Sequence, residues 1–186
     1  GIISKNIERG LGYNFWLLGE YLERADKTSR LLNVNYFYIF PEIEYIGTSI
    51  EDLQWSALLK SIDARDTYYR RYGIINPEEI IQMIIKDEDF PRSILFCLLS
   101  AHKCLLEITG NIPSEVNNLL TQLCYQIKYI SKSEIINNGL HEFIDQLQIK
   151  MNGIDNSIYN HFCAIPQNKN IFNNLKTEIK NLRYRI

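Results

Sequence analysis

The residues best suited to chemistry lie in one continuous stretch, Glu20-Tyr21-Leu22-Glu23-Arg24-Ala25-Asp26-Lys27-Thr28-Ser29-Arg30. On a helix this order makes Glu20–Arg24, Glu23–Lys27 and Asp26–Arg30 acid-first pairs at i,i+4, each adding about 0.2–0.5 kcal/mol to an isolated helix. A carboxylate beside a guanidinium could also act as an acid and an anion clamp. The seven-residue columns bear on that choice. One column reads Trp16, Glu23, Arg30, Phe37; its neighbour reads Leu17, Arg24, Leu31, Tyr38. Glu23 and Arg24 thus stand in line with large apolar residues, and both are expected to be partly buried and hydrogen-bonded against another helix or chain. Buried ion pairs seldom add net stability, so such a placement points to specificity or function.

Other chemistries have less behind them. His102, His141 and His161 are too dispersed for a metal site, and neither H-E-x-x-H nor the Glu-x-x-His of a di-iron bundle occurs. No metal or cofactor is expected. Cys97, Cys104, Cys124 and Cys163 contain no C-x-x-C and read as buried, reduced thiols of a cytoplasmic protein. Tyr68-Tyr69-Arg70-Arg71-Tyr72 could stack on and neutralise a nucleic-acid strand. The same cations suit the negative end of a helix, and a net charge of −2 with no basic stripe removes nucleic acid from the expected partners. Walker, G-x-G-x-x-G and G-x-S-x-G motifs are absent, so no catalytic residue is assigned and the chain looks poorly equipped as a catalyst on its own.

The elements that must position these residues follow from composition and spacing. Of 186 residues, 46% are hydrophobic while only 9 are Gly and 5 Pro, which leaves little turn chemistry for a sheet and favours helices. The expectation is an all-α antiparallel bundle of six to eight helices. Leu11, Phe15, Leu18, Leu22, Ala25, Ser29, Leu32, Tyr36 and Ile39 form one long seam, predicting a helix from Lys5 to Phe40 that Pro41 ends. Within it, Gly12 and Gly19 suggest a close helix crossing. A loop over 41–51 precedes a helix from Asp52 to Tyr72, with Leu53, Ala57, Leu58, Ile62 and Tyr69 inward and Gly73 as its stop. Asn76-Pro77-Glu78-Glu79 starts a short helix, Phe90-Pro91 opens one running to Thr109 with Gly110 as its stop, and Pro113-Ser114 opens another. Ser131-Lys132-Ser133-Glu134 fits a capping box for a sixth, and Leu140 to Ala164 forms a seventh. After Pro166 the tail keeps helical spacing through Ile171, Leu175, Ile179 and Leu182. No apolar run is long enough for a membrane span and no signal peptide is visible. The internal Met83 and Met151 leave no initiator, so a longer parent protein is expected.

The stretch from Tyr21 to Leu32 resembles the Glu-Arg motif of the bacterial alpha-E domain family. Further blocks agree in order: Gln54-Trp55-Ser56-Ala57-Leu58-Leu59-Lys60-Ser61, Tyr69-Arg70-Arg71-Tyr72-Gly73, Asp89-Phe90-Pro91-Arg92-Ser93 with Phe96-Cys97-Leu98, and Gly139-Leu140-His141-Glu142-Phe143-Ile144-Asp145. The resemblance implies binding candidates at Glu20, Glu23, Arg24, Asp26, Lys27 and Arg30, with Trp55, Arg70, Arg71 and Arg92 as secondary ones. It covers residues 1–165 as one domain, with 166–186 as a C-terminal tail, and implies longer family chains with two such motifs, of which this sequence matches the second half. An isologous dimer would bring two copies of Glu23 and Arg24 together. It also implies a peptide- or amide-forming setting, with an ATP-grasp ligase and a transglutaminase-like peptidase as protein partners. The chain would then be a helical accessory module, or a catalytic or substrate-binding half that uses the Glu-Arg pair.

Overall fold

Helix ends leave four N–H and four C=O groups unsatisfied, so helix boundaries fall where a side chain or a left-handed residue can take them up. The computed structural model describes residues 10–39, 49–110, 112–131, 134–135 and 139–164, with side chains except at 35–39 and 164. Seven α-helices and no strand occur among the described residues: α1 Leu11–Ile39, α2 Ser49–Ser61, α3 Arg65–Tyr72, α4 Pro77–Lys86, α5 Ile94–Thr109, α6 Glu115–Tyr129 and α7 Leu140–Tyr159. A π-helical turn, Asn160–Ala164, extends α7.

Several boundaries are capped as the sequence predicts. Asn76 accepts from the backbone N–H of Glu78 (3.0 Å) and Glu79 (3.3 Å), with Pro77 in the first turn of α4. Ser114 caps α6, while Gly110, at φ 63°, ends α5. Ser131 and Glu134 bond reciprocally, a capping box over the helical residues 134–135. The remainder of that sixth helix, the loop over 41–48 and the tail from Pro166 lie outside the described residues.

Five expectations need correction. α5 starts at Ile94 rather than at Phe90-Pro91, since Ser93 and not Pro91 supplies the oxygen that takes up the Phe96 N–H; α1 is described from Leu11, and its expected start at Lys5 lies outside the described residues. The helix expected from Asp52 to Tyr72 is two helices, α2 and α3. Asp63 takes φ 57° between them, with Ala64 N–H bonding Leu59 C=O (2.7 Å) and Asp63 N–H bonding Lys60 C=O (3.1 Å). Those two bonds are the paired closure of a left-handed helix end, which Asp tolerates better than most residues. The buried stripe of α2 is Trp55, Leu58 and Leu59, continued just past its end by Ile62, so Leu53 and Ala57 turn outward and Leu53 is 70% exposed. Gly19 makes no close crossing, since a Cβ there would meet nothing within 4 Å. Cys163 is exposed, unlike the other three thiols, because it lies on the outer side of the π turn.

The centre of the bundle is α5, which buries Ile94, Leu95, Cys97, Leu98, Ala101, Cys104, Leu105 and Ile108. α1 lies along it, where Tyr21 meets Phe96 edge-on at 6.3 Å, and also contacts α7. The seam of α1 faces inward as predicted, with Leu18, Leu22, Ala25, Ser29 and Leu32 buried.

Candidate functional site

Adjacent helical residues point about 100° apart, so a dipeptide on a buried helix is divided between faces. Arg24 turns toward α5. Its guanidinium bonds the Glu20 carboxylate one turn back, donates to the Pro91 carbonyl (3.3 Å) and stands 5.5 Å from the Tyr21 ring centroid. Thr28, one turn further on, donates to the Arg92 carbonyl (3.1 Å). α1 therefore grips the turn that leads into α5 at two successive carbonyls.

That turn is held from other sides as well. The Asp87 carboxylate accepts from the backbone N–H of Asp89 (2.8 Å) and Phe90 (2.7 Å), and its other oxygen pairs with Arg71 of α3. The Arg92 side chain reaches Asp63 (3.1 Å), at the α2–α3 junction. The Ser93 hydroxyl donates to the Asp87 carbonyl and accepts from Phe96 N–H. Glu20, Arg24, Arg71 and Arg92 thus converge on one turn, residues 87–93, at the junction of four helices.

The other predicted residues lie elsewhere. Glu23 is exposed and pairs with Lys27 (2.6 Å), which corrects the expectation of burial; its own column turns to solvent at Glu23 and Arg30 because α1 presents Ala25 and Leu22 to the core instead. Asp26 holds Arg30 at 2.7 Å through one oxygen, while its second oxygen is buried without a partner. Trp55 is fully buried with its indole N–H directed to Glu51 (3.2 Å), and so belongs to the core. Arg70 is exposed and bonds Thr67 (3.4 Å).

Glu23 and Asp26 face a second feature, a cleft of about 350 Å³ between α1 and α7. Phe15, Leu18, Leu22 and Ile158 form its apolar lining, and Asp155 adds a third carboxylate. Burial, and secondarily the Asp26 charge, push the Asp155 carboxyl above its ordinary value. Beyond the cleft α1 is tied to α7 by Gln148 donating to Ser29 (3.2 Å) and by Asn33 bonding the His141 ring (2.8 Å). No group of three His, Cys, Asp or Glu residues among the described residues is arranged to hold a metal ion.

Sequence reasoning missed Asp63, Asp87, Thr28 and Asp155. Asp87-Glu88-Asp89-Phe90-Pro91 carried a readable signal, since an Asp two residues before a free N–H favours such a turn. Asp155 carried none, because its importance comes from α1 lying opposite.

The model of the Alpha-E family, described as a predicted alpha-helical domain with a conserved ER motif, matches residues 1–163. The chain belongs to this family. It contains two Glu-Arg dipeptides, Glu23-Arg24 in α1 and Glu8-Arg9 outside the described residues. No curated protein and no solved structure matches it. Among the described residues no helix is long and apolar enough to cross a membrane.

Proposed function

We propose that this Alpha-E chain is a helical accessory module that binds a protein partner and has no catalytic machinery of its own. The partner class we favour is a cytoplasmic ATP-grasp ligase or transglutaminase-like peptidase of a peptide- or amide-forming system. The observation that supports the reading is the division of the Glu-Arg pair. Arg24 is engaged with the Pro91 carbonyl and Glu20, while Glu23, Lys27 and Arg30 form an exposed row of mixed charge on the same helix. A row of that kind steers and orients a partner more than it adds affinity. Acid and anion-clamp chemistry would want both groups facing one substrate, and their divergence speaks against it.

The test is co-purification of the full chain with a ligase or peptidase encoded beside it. The double variant Glu23→Lys/Lys27→Glu should weaken capture at least tenfold while leaving the melting temperature within about 1 °C, as expected for an exposed pair. Arg24→Ala should instead lower stability by about 1–2 kcal/mol, or roughly 2–8 °C, by leaving the 87–93 turn without its donor. Equal capture by the charge-swapped variant and the parent would overturn the interaction reading.

A further inference from the structure

α6 and α7 lie side by side with a groove between them. Leu119, Leu123 and Ile127, at four-residue spacing on α6, form its floor together with Phe143, Leu147 and Ile154 of α7. The wider end holds about 230 Å³, and a narrower end continues it past Leu123, Gln126 and Lys150. Leu119 and Phe143 stay only half-buried. Gln122, Gln126, Gln146, Lys150 and Gly153 make the rim, and among the described residues no carboxylate lines the groove.

Residues three and four apart are neighbours on a helix surface, so the rim merges with exposed apolar side chains on both helices. Tyr125 and Tyr129, beside Gln122 and Gln126 on α6, stack at 5.9 Å and are 59% and 70% exposed. Ile149, beside Gln146 and Gly153 on α7, is 61% exposed. Aromatic enrichment with few charges is the composition of a protein–protein interface centre.

Length and shape select the occupant. The lining runs over 119–127 of α6 and 143–154 of α7, about 12 Å and 17 Å at 1.5 Å per residue, or about two to three helical turns. Rows of side chains at four-residue spacing leave furrows into which another helix packs its own ridge. At Gly153 a Cβ would meet nothing within 4 Å, so the rim is low there and a partner backbone can come close. Charge selects further. The Lys150 ammonium reaches across the groove to the Gln126 side-chain oxygen and has no carboxylate partner among the described residues. An ionised acceptor holds an ammonium more strongly than a neutral amide does, so an incoming carboxylate would take the place of Gln126. A second copy of the chain, pairing through the same groove, would bring no acid to it.

We infer that the α6–α7 groove docks an amphipathic helix of a partner protein, its apolar ridge on the floor and an Asp or Glu of that helix on Lys150. The inference rests on the reading of the chain as an interaction module, but it uses a face other than the α1 row, so each can fail alone.

Selection from a displayed library of helical peptides tests it, with the full chain as bait, leucines fixed along one face and the flanking positions random. Enriched peptides should carry Asp or Glu beside the leucine stripe. Their affinity should fall at least tenfold in Lys150→Glu and in Gly153→Trp. It should stay within about twofold in Gly153→Ala and in Glu23→Lys/Lys27→Glu. Lys150→Glu should in turn bind the same peptides once Lys replaces their acid, a gain that no loss of folding could mimic. Lys150 and Gly153 are exposed, so these variants should fold. Enrichment of basic peptides, or of none, would overturn the inference, as would binding indifferent to both groove variants. A dimer in light scattering that Gly153→Trp dissolves would assign the groove to a second copy and overturn it equally.

Discussion

A side chain on a packed helix is assigned its work by the neighbour it faces, and the residues of α1 show how finely that division runs. Arg24 and Thr28, one turn apart, share the task of holding the Pro91 and Arg92 carbonyls, while Glu23, next to Arg24 in sequence, is left to Lys27 and solvent. The heptad columns made Arg24's partial burial legible but misplaced Glu23, because a column states which residues align and not which side of it the next helix covers. His102 shows a residue whose role no motif marked. Its ring lies half-buried between α5 and α6, 2.9 Å from the Thr121 hydroxyl, and burial lowers its pKa from the ordinary 6.5. The unfolded chain therefore takes up a proton near pH 6.5 that the native ring still refuses, so stability present above that pH is lost as pH falls below it. The melting temperature should decline between pH 7 and pH 5, and His102→Gln should flatten part of that decline. An unchanged slope in the variant would remove His102 from the account.

At the scale of single elements, the bundle is set by its helix ends. Asn76, Ser114 and Gly110 act where their residue types predicted, since each supplies a short acceptor or a left-handed φ that the terminal backbone groups need. Asp63 was not legible. It closes α2 in a conformation usually left to Gly or Asn, and periodicity carried the reading straight across it. The cost of misreading it was the rotation of α2, which put Leu53 outward and Trp55 inward. Asn76→Ala should cost about 1 kcal/mol, seen as roughly 2–4 °C in melting temperature, while Asn76→Asp should retain most of it by keeping an acceptor for the same two N–H groups. Thermal melts of the two variants side by side would show whether the cap or merely the bulk of the side chain matters.

For the molecule as a whole, helix content and the inward seam of α1 followed from composition and spacing. The pairing of α1 with α5 and α7 did not, because helical periodicity is local and the choice of partner depends on contacts between distant segments. The convergence of three sequence blocks, those holding Arg24, Arg71 and Arg92, on the 87–93 turn became visible only once those helices were together. Burial has a chemical signature at this scale. The Cys97 and Cys124 thiols are pushed up to about 12 by burial, that of Cys104 is raised by burial as well, and Cys163 alone is exposed. Since the thiolate is the reacting form, brief iodoacetamide treatment at pH 8 should add one label to the native chain, at Cys163, and four in denaturant. Cys163→Ser should take none until unfolded. The intimacy of α1 and α5 also imposes an order in time. On the ribosome, α1 emerges with its apolar seam long before residue 109 has been made, a delay of roughly 4–14 s at ordinary elongation rates. Through that interval the newborn seam has no α5 to pack on, and it offers a nascent-chain chaperone an exposed greasy surface.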